Sequence, residues 1–174
     1  MTDIQKELQK IRGIGEVLAK RLAEAGHDTF EKIAEAGEEG LRAIKGMNPR
    51  SVAAIVAQAA ELAKGRAEDR DRRVEELKAA ALTLRDQVEG IARSVRERFA
   101  DELEKKTARR VEKEFLKVVT TLEKVEGKIG RRVKRAGKGL AKAEKRLAGL
   151  ADTGLKGVER GLRRTRKALK RVLA

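Results

Sequence analysis

Apolar residues in the C-terminal part of this chain recur at spacings of three and four, which is the pattern of a heptad repeat. The stripe runs from Val74 to Val172 without an intervening proline. Most other positions are polar or charged, so a helix with so narrow an apolar side needs a partner helix to bury it. That partner comes from the same chain or from a second copy, and either case predicts an all-α protein. The stripe comprises Val74, Leu77, Ala81, Leu84, Val88, Ile91, Val95, Phe99, Leu103, Val111, Phe115, Val118, Leu122, Val125, Ile129, Val133, Ala136, Leu140, Ala143, Leu147, Ala151, Leu155, Val158, Leu162, Thr165, Leu169 and Val172.

The composition excludes several kinds of functional site. Of the 174 residues, 41% are charged and 40% are apolar, none is cysteine and one is histidine. Disulfides, thiolate metal sites, cysteine nucleophiles and polyhistidine sites are therefore ruled out. The aromatic residues are Phe30, Phe99 and Phe115, all at predicted core positions. We expect no cofactor, no metal ion, no small-molecule substrate and no enzymatic activity.

The sequence shows no signal for insertion into a membrane or for secretion. Its longest purely apolar run, residues 52–57, is far shorter than the ~20 residues that cross a bilayer. The first residues lack the apolar core of a signal peptide. We therefore expect a soluble cytoplasmic protein, associated with the nucleoid if it binds DNA.

The excess of positive charge lies almost entirely in the last fifty residues. The chain carries 43 basic and 28 acidic residues, a net charge of +15. Residues 1–64 have ten of each, whereas residues 125–174 have 17 basic and 4 acidic residues. Such a density of one sign attracts a polyanion, which is nucleic acid, an anionic membrane or an acidic protein. The alternative is a solvated helix surface that keeps the protein soluble.

Two helical segments are predicted after the N-terminal region. Residues 65–126 are expected to form a long amphipathic helix typical of a coiled coil, and residues 127–174 a basic tail that contains glycines. The glycines between residues 127 and 139 mark the best candidate for a turn, which predicts an antiparallel helical hairpin. Because glycine at exposed helix positions costs up to ~1 kcal/mol, we expect the tail to be only partly ordered until it binds its partner. The predicted anion-binding residues of the tail are Arg131, Arg132, Lys134, Arg135, Lys138, Lys142, Arg163, Arg164, Arg166, Lys167, Lys170 and Arg171.

The first 64 residues contain an internal repeat with an offset of 33 residues. Its matched positions are Leu8, Ile11, Gly13, Ile14 and Leu22 in the first copy and Leu41, Ile44, Gly46, Met47 and Ile55 in the second. Asn48 replaces Gly15, and asparagine tolerates a positive φ and can also cap the helix that follows. Pro49 then fits the first position of that helix.

This duplicated pattern resembles the tandem helix-hairpin-helix domain. The resemblance covers residues 3–64 and implies a compact unit of five helices, so we expect a domain over residues 1–64. Members of this family typically bind DNA without sequence preference. Backbone N–H groups at the start of the second helix of each hairpin hold phosphate oxygens, as helix N-termini generally do. The resemblance therefore implies double-stranded DNA as the partner.

The resemblance assigns candidate DNA contacts to both copies of the repeat. Hairpin 1 contributes Gly13, Ile14, Gly15, Lys20 and Arg21, and hairpin 2 contributes Gly46, Met47, Asn48, Arg50 and Ser51. Hairpin 2 is the stronger candidate because Arg50 adds charge and Ser51 adds a hydroxyl donor. In hairpin 1, Glu16 repels phosphate, so this copy is expected to bind weakly or only to pack. Hairpins of this type also serve as plain helix connectors or protein contacts.

Three functions are compatible with these features. The leading hypothesis is non-sequence-specific binding of duplex DNA, in DNA repair or nucleoid organisation. The second is a coiled-coil scaffold or oligomerisation protein, with a homo-oligomer formed through the heptad stripe and a hairpin domain that contacts other proteins. The third, binding of the tail to an anionic membrane surface, is disfavoured because the tail has no aromatic residue to insert.

Overall fold

A computed structural model describes residues 2–102 and 106–174, and every regular element in these ranges is a helix. The predicted all-α fold class is thereby confirmed. Leu103, a predicted member of the stripe, lies outside the described residues. The chain divides into two compact units, Met1–Asp69 (unit 1) and Arg70–Ala174 (unit 2). The predicted segments 65–126 and 127–174 thus fall mostly within one unit.

Unit 1 is a small bundle of short helices. They are α1 (Asp3–Leu8), α2 (Glu16–Glu24), α3 (Phe30–Arg42) and the first turns of α4 (Val52–Arg98). Gly37, with φ 61° and ψ −168°, interrupts α3 and divides it into two short helices. Counting both halves of α3, unit 1 has the five helices that the resemblance implies.

The core of unit 1 is built from the repeated apolar positions. Both copies place their leucine, Leu8 or Leu41, fully inside the unit, and Leu22 and Ile55 are buried in the same way. At the end of the unit, the Arg66 guanidinium lies 4.6 Å from the centre of the Phe30 ring and forms an ion pair with Glu7. Hydrogen bonding to Arg66 is the main reason that the pKa of the Glu7 carboxyl is below its usual value.

The described residues of unit 2 form four helices, with short 3₁₀ turns in the segments between them. They are α4 from Arg70 onward, α5 (Lys106–Glu126), α6 (Val133–Leu147) and α7 (Leu155–Leu173). Two ion pairs join α4 to α5, Arg85 with Glu123 at 3.7 Å and Arg96 with Glu112 at 3.4 Å. Because residue numbers rise along α4 as they fall along α5, these two helices are antiparallel.

Contacts made by α6 and α7 show which of the remaining helices in unit 2 lie side by side. The Arg132 guanidinium donates to the Val172 carbonyl at 2.9 Å, and Arg146 donates to the Arg164 carbonyl, so α6 and α7 are antiparallel. Arg166 of α7 also contacts α5, while α6 packs beside α4. The order around the unit is therefore α4, α5, α7 and α6, with the outer sides of α4–α5 and of α6–α7 opposite each other.

The heptad stripe is buried within this one chain. Most of its described members from Leu77 to Val172 form a single core cluster, and Thr165 is also fully buried. The described partner helices belong to the same chain, which is one of the two alternatives that the sequence left open, and a homo-oligomer through the stripe stays a prediction. The two tail helices α6 and α7 contribute half of the helices around this core. The expectation that the tail becomes fully ordered only with its partner stays a prediction.

The structure differs from the predicted long helix over residues 65–126. A long helix does follow unit 1, but α4 ends at Arg98 and α5 starts at Lys106. The spacings of four near Phe99 already indicated a rotation of the stripe. Arg98 donates to the Ala151 carbonyl, which fixes the end of α4 against the turn before α7. By reversing at this point, the chain buries its stripe against the segment that follows directly.

Only part of the predicted glycine turn is a turn. The chain reverses around the 3₁₀ turn Ile129–Arg131, whereas Gly137 and Gly139 lie inside α6. A Cβ at Gly139 would collide with the side chain of Val172, and one at Gly137 would lie 3.6 Å from Leu77. Neither glycine therefore forms a turn, and Gly139 permits the close packing of α6 against α7.

Candidate nucleic-acid interface

The two hairpins have the same backbone geometry, as the internal repeat predicts. In hairpin 1 the N–H of Ile14 donates to the carbonyl of Ile11, and in hairpin 2 the N–H of Met47 donates to that of Ile44, both at 3.1 Å. Gly13 and Gly46 occupy the left-handed region, with φ 96° and 88°. Each glycine thus allows a turn that other residues adopt only with strain.

Asn48 does not have the predicted positive φ, since among the described residues only glycines do. Its role is instead to cap, because its side-chain oxygen accepts a hydrogen bond from the backbone N–H of Arg50 at 3.0 Å. The hydroxyl of Ser51 donates to the Asn48 carbonyl at 2.9 Å. Pro49 lies in the turn before α4, which starts at Val52. Arg50 is exposed beside this start and remains available to a phosphate.

The start of the second helix in hairpin 1 carries different side chains from that in hairpin 2. Gly15 is the N-cap of α2 and provides no side-chain cap, while Glu16 is the first residue of the helix. The side chain of Val17 is 63% exposed. Lys20 is exposed and forms a long ion pair with Glu24 at 3.9 Å. A carboxylate and an exposed apolar side chain at this helix start are unfavourable for an anion.

Arg21 of hairpin 1 connects the two hairpins. Its guanidinium donates to the carbonyl of Lys45 at 2.6 Å, directly before Gly46. A Cβ at Gly46 would collide with this guanidinium. The structure therefore gives Arg21 an internal bond at the start of hairpin 2. Gly46 is favoured by its positive φ, and any side chain there would also displace the Arg21 guanidinium.

Replacing Gly46 with alanine is expected to destabilise unit 1 by about 1–2 kcal/mol, because its left-handed φ disfavours an L-residue and the new methyl group displaces Arg21. Amide hydrogen exchange in peptides from unit 1 measures the effect. The matched control is Gly15→Ser, because Gly15 has φ −84° and open space around it. Serine is a good N-cap, so the control should gain a few tenths of a kcal/mol. Equal stability of the two variants would contradict this account.

The most strongly charged surface lies on the outer sides of α6 and α7, and we call it the α6–α7 basic face. All of its basic residues are exposed. They are Lys134, Arg135, Lys138, Lys142 and Lys145 on α6, and Lys156, Arg160, Arg163, Arg164, Lys167, Lys170 and Arg171 on α7. The two helices are antiparallel neighbours, so the face presents two rows of cations side by side. The longer row, from Lys156 to Arg171, is about 22 Å long at 1.5 Å per residue.

Few acidic groups oppose this charge. Glu159 is the acidic residue of α7, and its carboxylate is held by Arg163 at 2.6 Å. Glu144 lines the groove between α6 and α4 instead of the basic face. The face therefore keeps a large excess of positive charge, which creates a favourable potential for an extended polyanion.

Two residues predicted as anion contacts serve the interior of unit 2. Arg132 is partly buried and bonds to a carbonyl of α7, as described above. Arg166 donates to the buried carboxylate of Glu114 on α5 at 3.1 Å, and Lys117 lies 3.0 Å from the same carboxylate. Arg163 is within 3.9 Å of Glu114 but remains 57% exposed. Both Arg132 and Arg166 thus stabilise packing between helices. Arg131 is exposed beside the face, in the 3₁₀ turn before α6.

Sequence reasoning missed Lys145, Lys156 and Arg160, which the structure places on the face. Helical spacing could have identified all three. Lys145 follows Lys142 by three residues, and Lys156 and Arg160 precede Arg163 and Lys167 at spacings of seven.

Two other kinds of site are absent from the described ranges, 2–102 and 106–174. They contain no cluster of three or more histidine, cysteine, aspartate or glutamate side chains suited to a metal ion. None of the helices there combines the length and the apolar character needed to cross a membrane.

Comparison with known proteins gives one match. The matching family model is described as a SAM-like helix-hairpin-helix tandem and covers residues 6–61. Neither the curated proteins nor the solved structures gave a match. The matched residues contain both copies of the repeat, with the hairpin geometry described above. Residues 6–61 of unit 1 are therefore a helix-hairpin-helix domain.

Proposed function

We propose that this protein binds double-stranded DNA without sequence preference, as a binding protein rather than an enzyme, in DNA repair or nucleoid organisation. The α6–α7 basic face supplies most of the contact, and hairpin 2 supplies a second one. The observation on which the proposal depends is the exposure of twelve lysine and arginine side chains on two neighbouring, packed helices. Helix-hairpin-helix domains commonly bind DNA, which supports the same partner.

The dimensions and charge of the face suit a duplex backbone. A DNA duplex carries one negative charge per about 1.7 Å of its axis, so a row about 22 Å long faces roughly thirteen phosphates. Each phosphate neutralised by lysine or arginine releases condensed counterions, and this release drives binding independently of sequence. A preformed face on packed helices also avoids the entropic cost of ordering a flexible tail.

The side chains of α5, α6 and α7 favour backbone contacts over recognition of bases. Residues 106–174 contain neither asparagine nor glutamine, the residues that read adenine in the major groove. Their one aromatic residue, Phe115, is 7% exposed, so single-stranded bases have no ring on which to stack. The apolar sides of α6 and α7 are occupied by the core, which also disfavours their insertion into a membrane surface.

Hairpin 1 suits a protein contact better than a phosphate. Glu16 repels an anion at the start of α2, and Val17 next to it is a large, exposed apolar side chain. This observation favours a second function for the hairpin domain, the docking of another protein, beside DNA binding by unit 2.

Fluorescence anisotropy with labelled duplexes of unrelated sequence tests the proposal. We expect equal affinities for these duplexes, and a decline of log K with log salt at a slope near −5 if about six phosphates are contacted. A lack of duplex binding at low salt, or a large preference for one sequence, would contradict the proposal. Anionic phospholipid vesicles form the comparison arm, and tighter binding to vesicles than to duplexes would also overturn it.

A further inference from the structure

The side of unit 2 opposite the basic face carries an apolar groove. The groove lies between α4 and α5, has a volume of ≈ 570 Å³ and includes Phe115, Leu116 and Val119 of α5 in its lining. Leu116 is 69% exposed, the largest exposed fraction among the exposed large apolar side chains. Leu82, 49% exposed, lies on the same side of α4, two turns before Glu89 in the groove lining. An apolar groove with one exposed leucine in its lining and a second on the same side of α4 is typical of an interaction surface.

The charges around this groove are balanced, unlike those on the basic face. Its lining includes two cations, Arg93 and Arg96, and three anions, Glu89, Glu97 and Glu112. Arg96 and Glu112 already pair across the groove at 3.4 Å. A polyanion gains little from such a surface, because the carboxylates offset the guanidinium groups. The occupant must instead offer apolar side chains together with charges of both signs.

We propose that the α4–α5 groove binds the same groove of a second copy of this chain. The protein has a net charge of +15, so two copies repel each other through most of their surfaces. The α4–α5 side is a surface of unit 2 where carboxylates offset this repulsion. A two-fold axis places the same patch on both partners, and a patch with arginine and glutamate beside exposed leucine is complementary to itself.

The size of the patch predicts a weak dimer. From Leu82 to Glu97 of α4 the patch is about 24 Å long. The patch is two helices wide, about 20 Å, so its projected area is about 500 Å². A stable complex buries about 800 Å² on each partner, which is more than this patch offers. The dimer therefore forms at high protein concentration or where copies are held close together.

Such a dimer has a functional consequence that rests on the DNA-binding function proposed above. Pairing through α4–α5 leaves the two α6–α7 basic faces on opposite sides of the assembly. Each face can then bind a separate duplex, so the dimer would bridge two DNA segments. Copies gathered on DNA would also dimerise more readily, because their effective concentration is higher.

Analytical ultracentrifugation of the full chain tests self-association without DNA. We expect the weight-average mass to rise towards that of a dimer over an about hundredfold range of protein concentration. Leu116→Glu places a carboxylate in the contact and should weaken the dimer at least about tenfold. The matched control is Ile4→Glu, because Ile4 is 44% exposed in unit 1, and it should leave the dissociation constant unchanged. Circular dichroism verifies that both variants keep their helices.

The outcomes distinguish the dimer from DNA-mediated clustering. Apolar association persists at high salt, whereas clustering on residual polyanion is lost. A monomer at every concentration, or an equal loss of association in Leu116→Glu and Ile4→Glu, would overturn the proposal. In a bridging assay with two labelled duplexes, Leu116→Glu should keep its affinity for one duplex but lose bridging. A chain that dimerises without binding duplexes would contradict the DNA-binding function and leave the dimer intact.

Discussion

Replacing six lysines of the α6–α7 basic face with glutamine is expected to remove most of the affinity for duplex DNA. The residues are Lys134, Lys138, Lys142, Lys156, Lys167 and Lys170, all exposed in the structure. If each contacts a phosphate, the slope of log K against log salt becomes shallower by about 5. Six phosphate contacts lower the affinity roughly a thousandfold when the salt concentration rises from 50 to 200 mM. Fluorescence anisotropy across a salt series measures both the slope and the affinity.

The control for this experiment keeps the charge and changes the side chain. Six lysine-to-arginine substitutions at the same positions preserve every cation, so the salt slope should stay that of the original chain. A glutamine variant with an unchanged slope would show that the basic face is not the anion contact. Deletion of the tail after residue 124 is less informative, because it removes α6 and α7 and exposes the core of unit 2.

The features that sequence predicted well depend on local periodicity. The repeat places glycine at positions 13 and 46, and both adopt the left-handed φ that the hairpin turn requires. The three-and-four spacing of apolar residues alone identifies nearly the whole core of unit 2. Both signals are local, since a helix repeats every 3.6 residues and a tight turn is defined by a few dihedral angles.

The features that sequence missed depend on contacts between distant segments. The stripe continues past Phe99, and only packing against later helices decides that α4 ends before it. Which cations take part in helix packing also depends on tertiary structure. Arg166 donates to the Glu114 carboxylate, 52 residues away in the sequence, and Arg132 donates to a carbonyl 40 residues away. A count of charges along the chain does not distinguish these arginines from the exposed Lys138, although in the structure they join helices.

Substitution of Gly139 by leucine is expected to cause the largest loss of stability in unit 2. Gly139 is buried where α6 contacts α7, and even a single Cβ there would collide with Val172. Valine has one strongly preferred χ1 rotamer in a helix, so it cannot move aside without cost. Overpacking costs about 1–3 kcal/mol for modest additions, and four added carbons should cost about 3 kcal/mol. Hydrogen exchange in peptides from α6 and α7 measures this loss.

The matched control is Gly90→Leu, in the same unit and also inside a helix. Gly90 lies in α4 with open space where a Cβ would lie, so leucine should gain roughly 0.8 kcal/mol from helix propensity. The same substitution is thus expected to lower the stability of unit 2 at position 139 and to raise it at position 90. If Gly139→Leu is tolerated as well as Gly90→Leu, α6 and α7 are not in close contact. The two rows of cations on the basic face would then lie farther apart than the packed helices place them.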